Sequence, residues 1–134
     1  MKFFYILFFS FLSSGCIINV SWGQNIHSPV NEVFNALKED RIQDIVKYFD
    51  HSLPININNI QSIYSSNQAE IVLKDFFQKN EPHDWLVAGT GSPNNNTKYL
   101  ICTFTGKTGK YGVYIMFKLK DNVYLLQEIR IYKE

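Results

Sequence analysis

The fold class this sequence predicts is an α+β roll, with helices packed on a curved, mainly antiparallel sheet. Three observations predict it. Helical patterns with capping signals open the region after residue 28, and a short hairpin and a further helical pattern follow them. The last four segments are β-branched or aromatic runs divided by turn residues. A sheet of that kind with one strongly apolar face must bury it, and the helices supply the cover. The element order is therefore α-α-β-β-α-β-β-β-β.

Residues 1–23 read as a signal peptide. Lys2 is the only charge before Glu32, and the apolar block Phe3-Phe4-Tyr5-Ile6-Leu7-Phe8-Phe9-Ser10-Phe11-Leu12 follows it. Ser21-Trp22-Gly23 then supplies the small residues that place cleavage before Gln24. A membrane span needs about 20 continuous apolar residues, and Ser13, Ser14, Gly15 and Asn19 interrupt this stretch. Ser13-Ser14-Gly15-Cys16 has the small-small-Cys ending of a lipoprotein signal. Ile17-Ile18-Asn19-Val20 stays apolar beyond it, however, so simple cleavage is preferred to lipid anchoring at Cys16. The expectation is an exported protein, periplasmic or secreted, with residues 24–134 forming one α+β domain. Its hydrophobic share of 46% and aromatic share of 16% suit a packed core.

Ser28-Pro29 opens the first helix, with Ser as N-cap and Pro at the first helical position, where its missing N–H costs nothing. Val30, Val33, Phe34 and Leu37 recur at helical spacing. Asp40 restarts the pattern with Gln43 three residues on, so Ile42, Ile45, Val46 and Phe49 form the stripe of a second short helix. Pro54 bars continuation as helix. In residues 54–64 two alternating arms flank Asn58-Asn59, a pair that tolerates positive φ, which predicts a hairpin. Ser65 or Ser66 caps the next helix. Gln68 is placed for a capping box, and Ala69, Val72, Leu73, Phe76 and Phe77 make the buried face. Asn80-Glu81-Pro82 ends it. Strands are expected at 84–90, 98–105, 111–120 and 123–133. Strict alternation along the last puts Val123, Leu125, Ile129 and Ile131 on one face and Tyr124, Leu126, Glu128, Arg130 and Tyr132 on the other.

This order is that of the nuclear-transport-factor-2-like or cystatin-like cone, in which a bent sheet wraps a long helix. Residues 63–82, IYSSNQAEIVLKDFFQKNEP, resemble the central motif of an uncharacterised family of exported Bacteroidetes proteins, a domain of unknown function. Tyr99-Leu100-Ile101, Tyr111-Gly112-Val113-Tyr114 and Leu126-Gln127-Glu128-Ile129-Arg130-Ile131 are similar to the same pattern. The resemblance covers nearly the whole of residues 24–134, and the helix motif is its most specific part. Cys102, where relatives tend to carry a small Gly, and Gly112 between two tyrosines depart from it. The resemblance implies fold and export, and carries no activity with it.

Chemical signals are sparse. After cleavage Cys102 stands alone, so no internal disulfide is available, and with no Cys-His spacing around it a buried thiol is expected. Basic and acidic residues balance over 24–134, which argues against nucleic acid. Residues 24–96 hold five basic and nine acidic side chains, and residues 97–134 hold seven and three. Solvated faces explain that split more simply than attraction between two copies does. Gly89-Thr90-Gly91 lacks the third glycine of a dinucleotide loop, and Gly106-Lys107-Thr108 joins strands where a phosphate loop opens a helix. Both read as turns. His27, His51 and His83 lie in turns or at the terminus without HxH or HExxH spacing, so neither a metal nor a cofactor is expected.

Phe34, Phe49, Tyr64, Phe77, Trp85 and Tyr99 are the candidates to line a pocket between sheet and helix. A domain of this size also needs such side chains simply to fill its interior, and that reading is preferred. Enzymes of the cone architecture, ketosteroid isomerase among them, set an acid deep in that pocket. Asp44, Asp50, Asp75 and Glu128 all fall on polar faces or ends, so no catalytic residue is assigned. Tyr114, Met116, Tyr124, Leu126, Arg130 and Tyr132 are the candidates for an interface, because that face is too aromatic for full solvation. The expected role is a non-catalytic exported module. Its sheet or pocket contacts itself as a homodimer, a partner protein or a small apolar ligand, with no membrane span. The alternative is a small cone-pocket enzyme of isomerase or dehydratase type, with Glu128, His51 and Asp50 the groups to inspect.

Overall fold

The computed structural model describes residues 28–134. The signal peptide, Cys16, the cleavage site before Gln24 and His27 lie outside the described residues.

Helix α1 spans Pro29–Lys38, with Glu32 in its first turn and Lys38 in its last, both suited to the helix dipole. It buries Val30, Val33, Ala36 and Leu37, and Phe34 packs half-exposed against the same core. The second expected helix does not form. Asp40 takes φ 56°, whereas an N-cap needs an extended backbone. The chain passes instead through two single 3-10 turns, Ile42–Asp44 and Val46–Tyr48. Three residues per turn still stack Ile42 and Ile45 on the buried side, so the stripe survives the change of helix type.

Strands β1 (Ser52–Ile57) and β2 (Ile60–Ser65) form the expected hairpin. Asn58 and Asn59 both adopt positive φ, 49° and 70°, as a two-residue primed turn requires. Helix α2 (Ser66–Asn80) follows at once. Its capping box is complete: Ser65 Oγ accepts from the Gln68 amide, and Gln68 Oε1 accepts from the Ser65 amide. Glu81 in the left-handed conformation, with Pro82 behind it, stops the helix.

Strands β3 (His83–Asn94), β4 (Thr97–Gly106), β5 (Gly109–Lys120) and β6 (Val123–Lys133) make the antiparallel meander. The hairpin joins it through a parallel pairing of β1 with β6, giving one six-stranded sheet in the order β2-β1-β6-β5-β4-β3. Helix α2 lies on one face through Ala69, Leu73 and Phe77. Beneath it Phe76, Phe77, Trp85, Phe104 and Tyr111 form an aromatic cluster, with Phe104 4.8 Å from Trp85 and 5.1 Å from Tyr111 between ring centroids. Among the described residues the buried side chains are hydrophobic, and no helix is long and apolar enough to cross a membrane.

Strand β6 contains the main surprise. Met116 pairs with Glu128, but Phe117 pairs with Leu126, so Gln127 is an extra residue in β6. The bulge reverses the alternation below it. Leu126 therefore points inward and is fully buried, and Tyr124 packs against the core with its hydroxyl on the Asn95 carbonyl at 3.0 Å. The expectation that placed Tyr124 and Leu126 on the outer face with Arg130 is corrected here, because it assumed an unbroken strand.

The residue freed by the bulge is used. Gln127 Nε2 donates to Asp50 Oδ2 at 2.8 Å, the His51 amide donates to Oδ1 at 2.8 Å, and Lys120 forms an ion pair with the same carboxylate. The Lys120 bond, then the His51 amide, hold the Asp50 carboxyl below its ordinary pKa. This cluster pins the loop before β1 to β5 and β6. Asp50→Asn is expected to cost about 1 to 2 kcal/mol near neutral pH in urea unfolding. A carboxyl with a depressed folded pKa stabilises above the usual carboxylate range, and that contribution goes as pH falls through the folded pKa. The stability difference between wild type and Asp50→Asn should therefore shrink in acid. A constant difference would remove Asp50 as the source.

Candidate functional site: the outer face of the sheet

The helices cover only one side of the sheet. On the other side the alternation brings forward Pro54 and Asn56 from β1, Tyr114 and Met116 from β5, Glu128, Arg130 and Tyr132 from β6, and Tyr99 and Ile101 from β4. Most of these are half-exposed, a level set by neighbouring side chains lying across one another.

Two tyrosines lie flat on this face, each over a glycine directly opposite it. Tyr99 covers Gly91 of β3, and Tyr132 covers Gly112 of β5. A Cβ at either glycine would sit within 2.4 Å of the ring, so the absence of a side chain lets the ring come down on the backbone. Gly112 between the two tyrosines thus has a structural reason in this chain. Tyr99 also stacks on Tyr114 at 6.5 Å with 23° between planes. The Arg130 guanidinium sits over Tyr114 at 5.6 Å and donates through Nε to Glu128 Oε1 at 2.5 Å, a bond that raises its pKa. A cleft of about 500 Å³ opens at the β1–β6 side of this aromatic floor, lined by Asn56, Asn59, Gln61, Tyr114, Arg130 and Tyr132. The floor is aromatic and the wall is amide, so the cleft offers ring faces together with paired donors and acceptors.

The other expected residues fall elsewhere. Phe49, Phe77 and Trp85 are buried in the core, and Phe34 and Tyr64 pack against it. These five lie on the helix side, where they fill space. Tyr99 is separated from them by the sheet, because Leu100 takes the inward position in β4. Of the interface candidates, Tyr114, Met116, Arg130 and Tyr132 share the outer face. Asn56, Asn59 and Gln61 were legible only as turn and strand formers, and nothing local in the sequence places them beside Arg130.

Of the groups named for a catalytic alternative, the two carboxylates are engaged in ion pairs and the histidine faces solvent. Asp50 is bound to Lys120 and Gln127, Glu128 to Arg130, and His51 is exposed. His83 Nε2 does approach Asp84 Oδ2, at 3.7 Å, because Asp84 has φ 52° and breaks the extended alternation. Both side chains are exposed. No cluster of three potential metal ligands occurs among the described residues. Cys102 is fully buried, and desolvation pushes its thiol up to about 12, which leaves it protonated and inert. Part of the charge split between the two halves of the chain is settled within the fold, where Lys107 meets Glu81 at 3.4 Å and Lys120 meets Asp50.

A bent sheet wrapped over one long helix, with the opposite face left open, defines a nuclear-transport-factor-2-like roll. More narrowly, the chain belongs to the DUF4783 family, a domain of unknown function, whose profile matches residues 30–132. It is similar to a DUF4783 protein of Bacteroides ovatus, with 24% identity, a TM-score of 0.72 and coverage of 77% of this chain and 93% of that one. A DUF4783 protein of Bacteroides fragilis gives 26% identity and a TM-score of 0.71, over 77% and 96% of the two chains. An NTF2-like protein of unknown function from Cytophaga hutchinsonii shares the fold at 12% identity and a TM-score of 0.59, over 81% and 88%. No curated protein matches the chain.

Proposed function

We propose that this protein is an exported, non-catalytic binding module whose contact surface is the outer face of its sheet. The observation that carries the reading is the continuous patch of half-exposed Tyr99, Tyr114 and Met116 with exposed Arg130 and Tyr132, beside its amide-walled cleft and opposite a core filled by apolar side chains. Aromatic, Met and Arg side chains are those enriched at protein contacts. Export rests on the N-terminal pattern, which directs the domain to a compartment where a single buried thiol needs no disulfide partner. A protein ligand seated on the tyrosines is the favoured occupant, and a small ligand with an apolar face would use the cleft.

Site-specific photocrosslinking in the native host tests this. A photoreactive residue at Tyr132 should yield a discrete adduct that Arg130→Glu removes, while the same probe at Ile71, on the solvent side of α2, yields none. Equal labelling from both positions, or no adduct from the outer face at all, overturns the reading. Mass spectrometry of the isolated protein should show a chain beginning at Gln24; a diacylated Cys16 would replace free export with a membrane tether.

A further inference from the structure

The two edges of the sheet are built differently. Strand β3 is a defended edge. Its pairing with β4 shifts register at three places, Asp84 stands in the left-handed conformation, and Pro93 removes an amide. Bulges, proline and charge are the devices that keep a free strand from pairing with another chain. Strand β2 has none of them. It runs in unbroken register with β1, and from Ser52 to Ala69 no residue is charged. Ile60 is 75% exposed and Ile63 68%. The two-residue turn makes Ile57 and Ile60 a hydrogen-bonded pair, so Ser62 and Tyr64 also direct their backbone groups to β1. Gln61 and Ile63 must then turn their N–H and C=O outward.

We infer that β2 is a docking edge and that its occupant is β2 of a second copy, paired antiparallel about a two-fold axis through Ser62. Such a pairing is self-complementary by symmetry, since the outward groups of Gln61 in one copy meet those of Ile63 in the other. The lack of charge selects the same occupant. A strand carrying Lys or Glu would set like charges near one another across the axis, whereas this one meets its own image without repulsion. In this register Ile60 lies beside Tyr64 of the second copy and loses its exposure to water, and Ile63 of the second copy stands next to Gln61 on the wall of the outer-face cleft. The inference stands on the edge, independently of what the outer face binds.

The test uses protein expressed from the full sequence and purified in the form the host processes it to. Sedimentation velocity over a concentration series should show a reversible doubling of mass. Ile63→Pro removes only an outward amide, spares the pairing with β1, and should leave monomer alone, with an unchanged far-ultraviolet spectrum. Tyr132→Lys on the outer face should leave the dimer intact. Ser62→Cys should form an intermolecular disulfide on mild oxidation, because directly opposed residues that are not hydrogen-bonded lie about 4.5 Å apart at Cα, within disulfide reach. That product decides the matter even if Ile63→Pro fails to fold. A monomer at every concentration with no Ser62→Cys disulfide overturns the inference. So does a dimer that survives Ile63→Pro and is lost in Tyr132→Lys.

Discussion

Phe104→Ala is expected to lower the free energy of unfolding by about 3 to 5 kcal/mol, enough to leave a domain of ordinary stability marginal. Phe104 has no solvent exposure, and its ring is contacted from three other elements. Phe77 of α2 meets it edge-on at 5.8 Å, Trp85 of β3 at 4.8 Å, and Tyr111 of β5 stacks on it at 5.1 Å with 10° between planes. Truncation removes the transfer energy of the ring and leaves a cavity that these rigid neighbours cannot close. Urea unfolding followed by tryptophan fluorescence and by circular dichroism gives the number. Tyr99→Ala, on the outer face, should cost about 1 kcal/mol or less by comparison. The comparison bears on function as well as stability, because a cone with a working hollow would tolerate the loss of one wall aromatic. A loss within about 1 kcal/mol for Phe104→Ala would mean that the interior is not the filled core described here.

The parts of this fold that could be read in the sequence are those fixed by neighbours along the chain. The Asn58-Asn59 turn, the Ser65–Gln68 capping box and the Pro82 stop are local chemistry, and each stands where its residues place it. The second helix failed for a local reason as well. Asp40 was read as a cap, yet it is the residue that turns the chain after α1, where Arg41 N–H reaches back to the Ala36 carbonyl at 2.7 Å. What sequence spacing could not give was the pairing of distant segments. The parallel junction of β1 with β6 joins residues more than 70 positions apart, and it alone brings Asn56 and Gln61 beside Arg130. Half of the outer face was therefore legible, as the tyrosines and Arg130 of the meander, and the amide wall was not.

The bulge in β6 left a trace that strict alternation ignored. Alternation places polar Gln127 between Leu125 and Ile129 on the apolar face and leaves Leu126 outside. A polar residue in the buried row beside a leucine in the exposed row is the signature of one inserted residue. Leu126 and Ile129, three apart, are both buried, a spacing that an unbroken strand cannot produce.

That geometry yields a sharp contrast within one strand. Leu126 and Tyr132 are six residues apart, an even spacing that should give them the same environment, yet Leu126 is fully buried and Tyr132 is 44% exposed. Leu126→Lys sets an unpaired ammonium against Phe117 and the core, and should cost about 4 kcal/mol or more. In practice the variant should be recovered unfolded or in inclusion bodies. Tyr132→Lys exchanges one partly exposed side chain for another above Gly112 and should stay within about 1 kcal/mol of wild type. Gln127→Leu separates the two accounts further. With the bulge it loses the bond to Asp50 and gains nothing in the core, so stability falls modestly, while in an unbroken strand it would fill an apolar row and raise stability. Thermal melts of the three variants decide between these cases. A mild Leu126→Lys together with a stabilising Gln127→Leu would show that β6 runs without its extra residue, and the outer face would then carry Tyr124 and Leu126 after all.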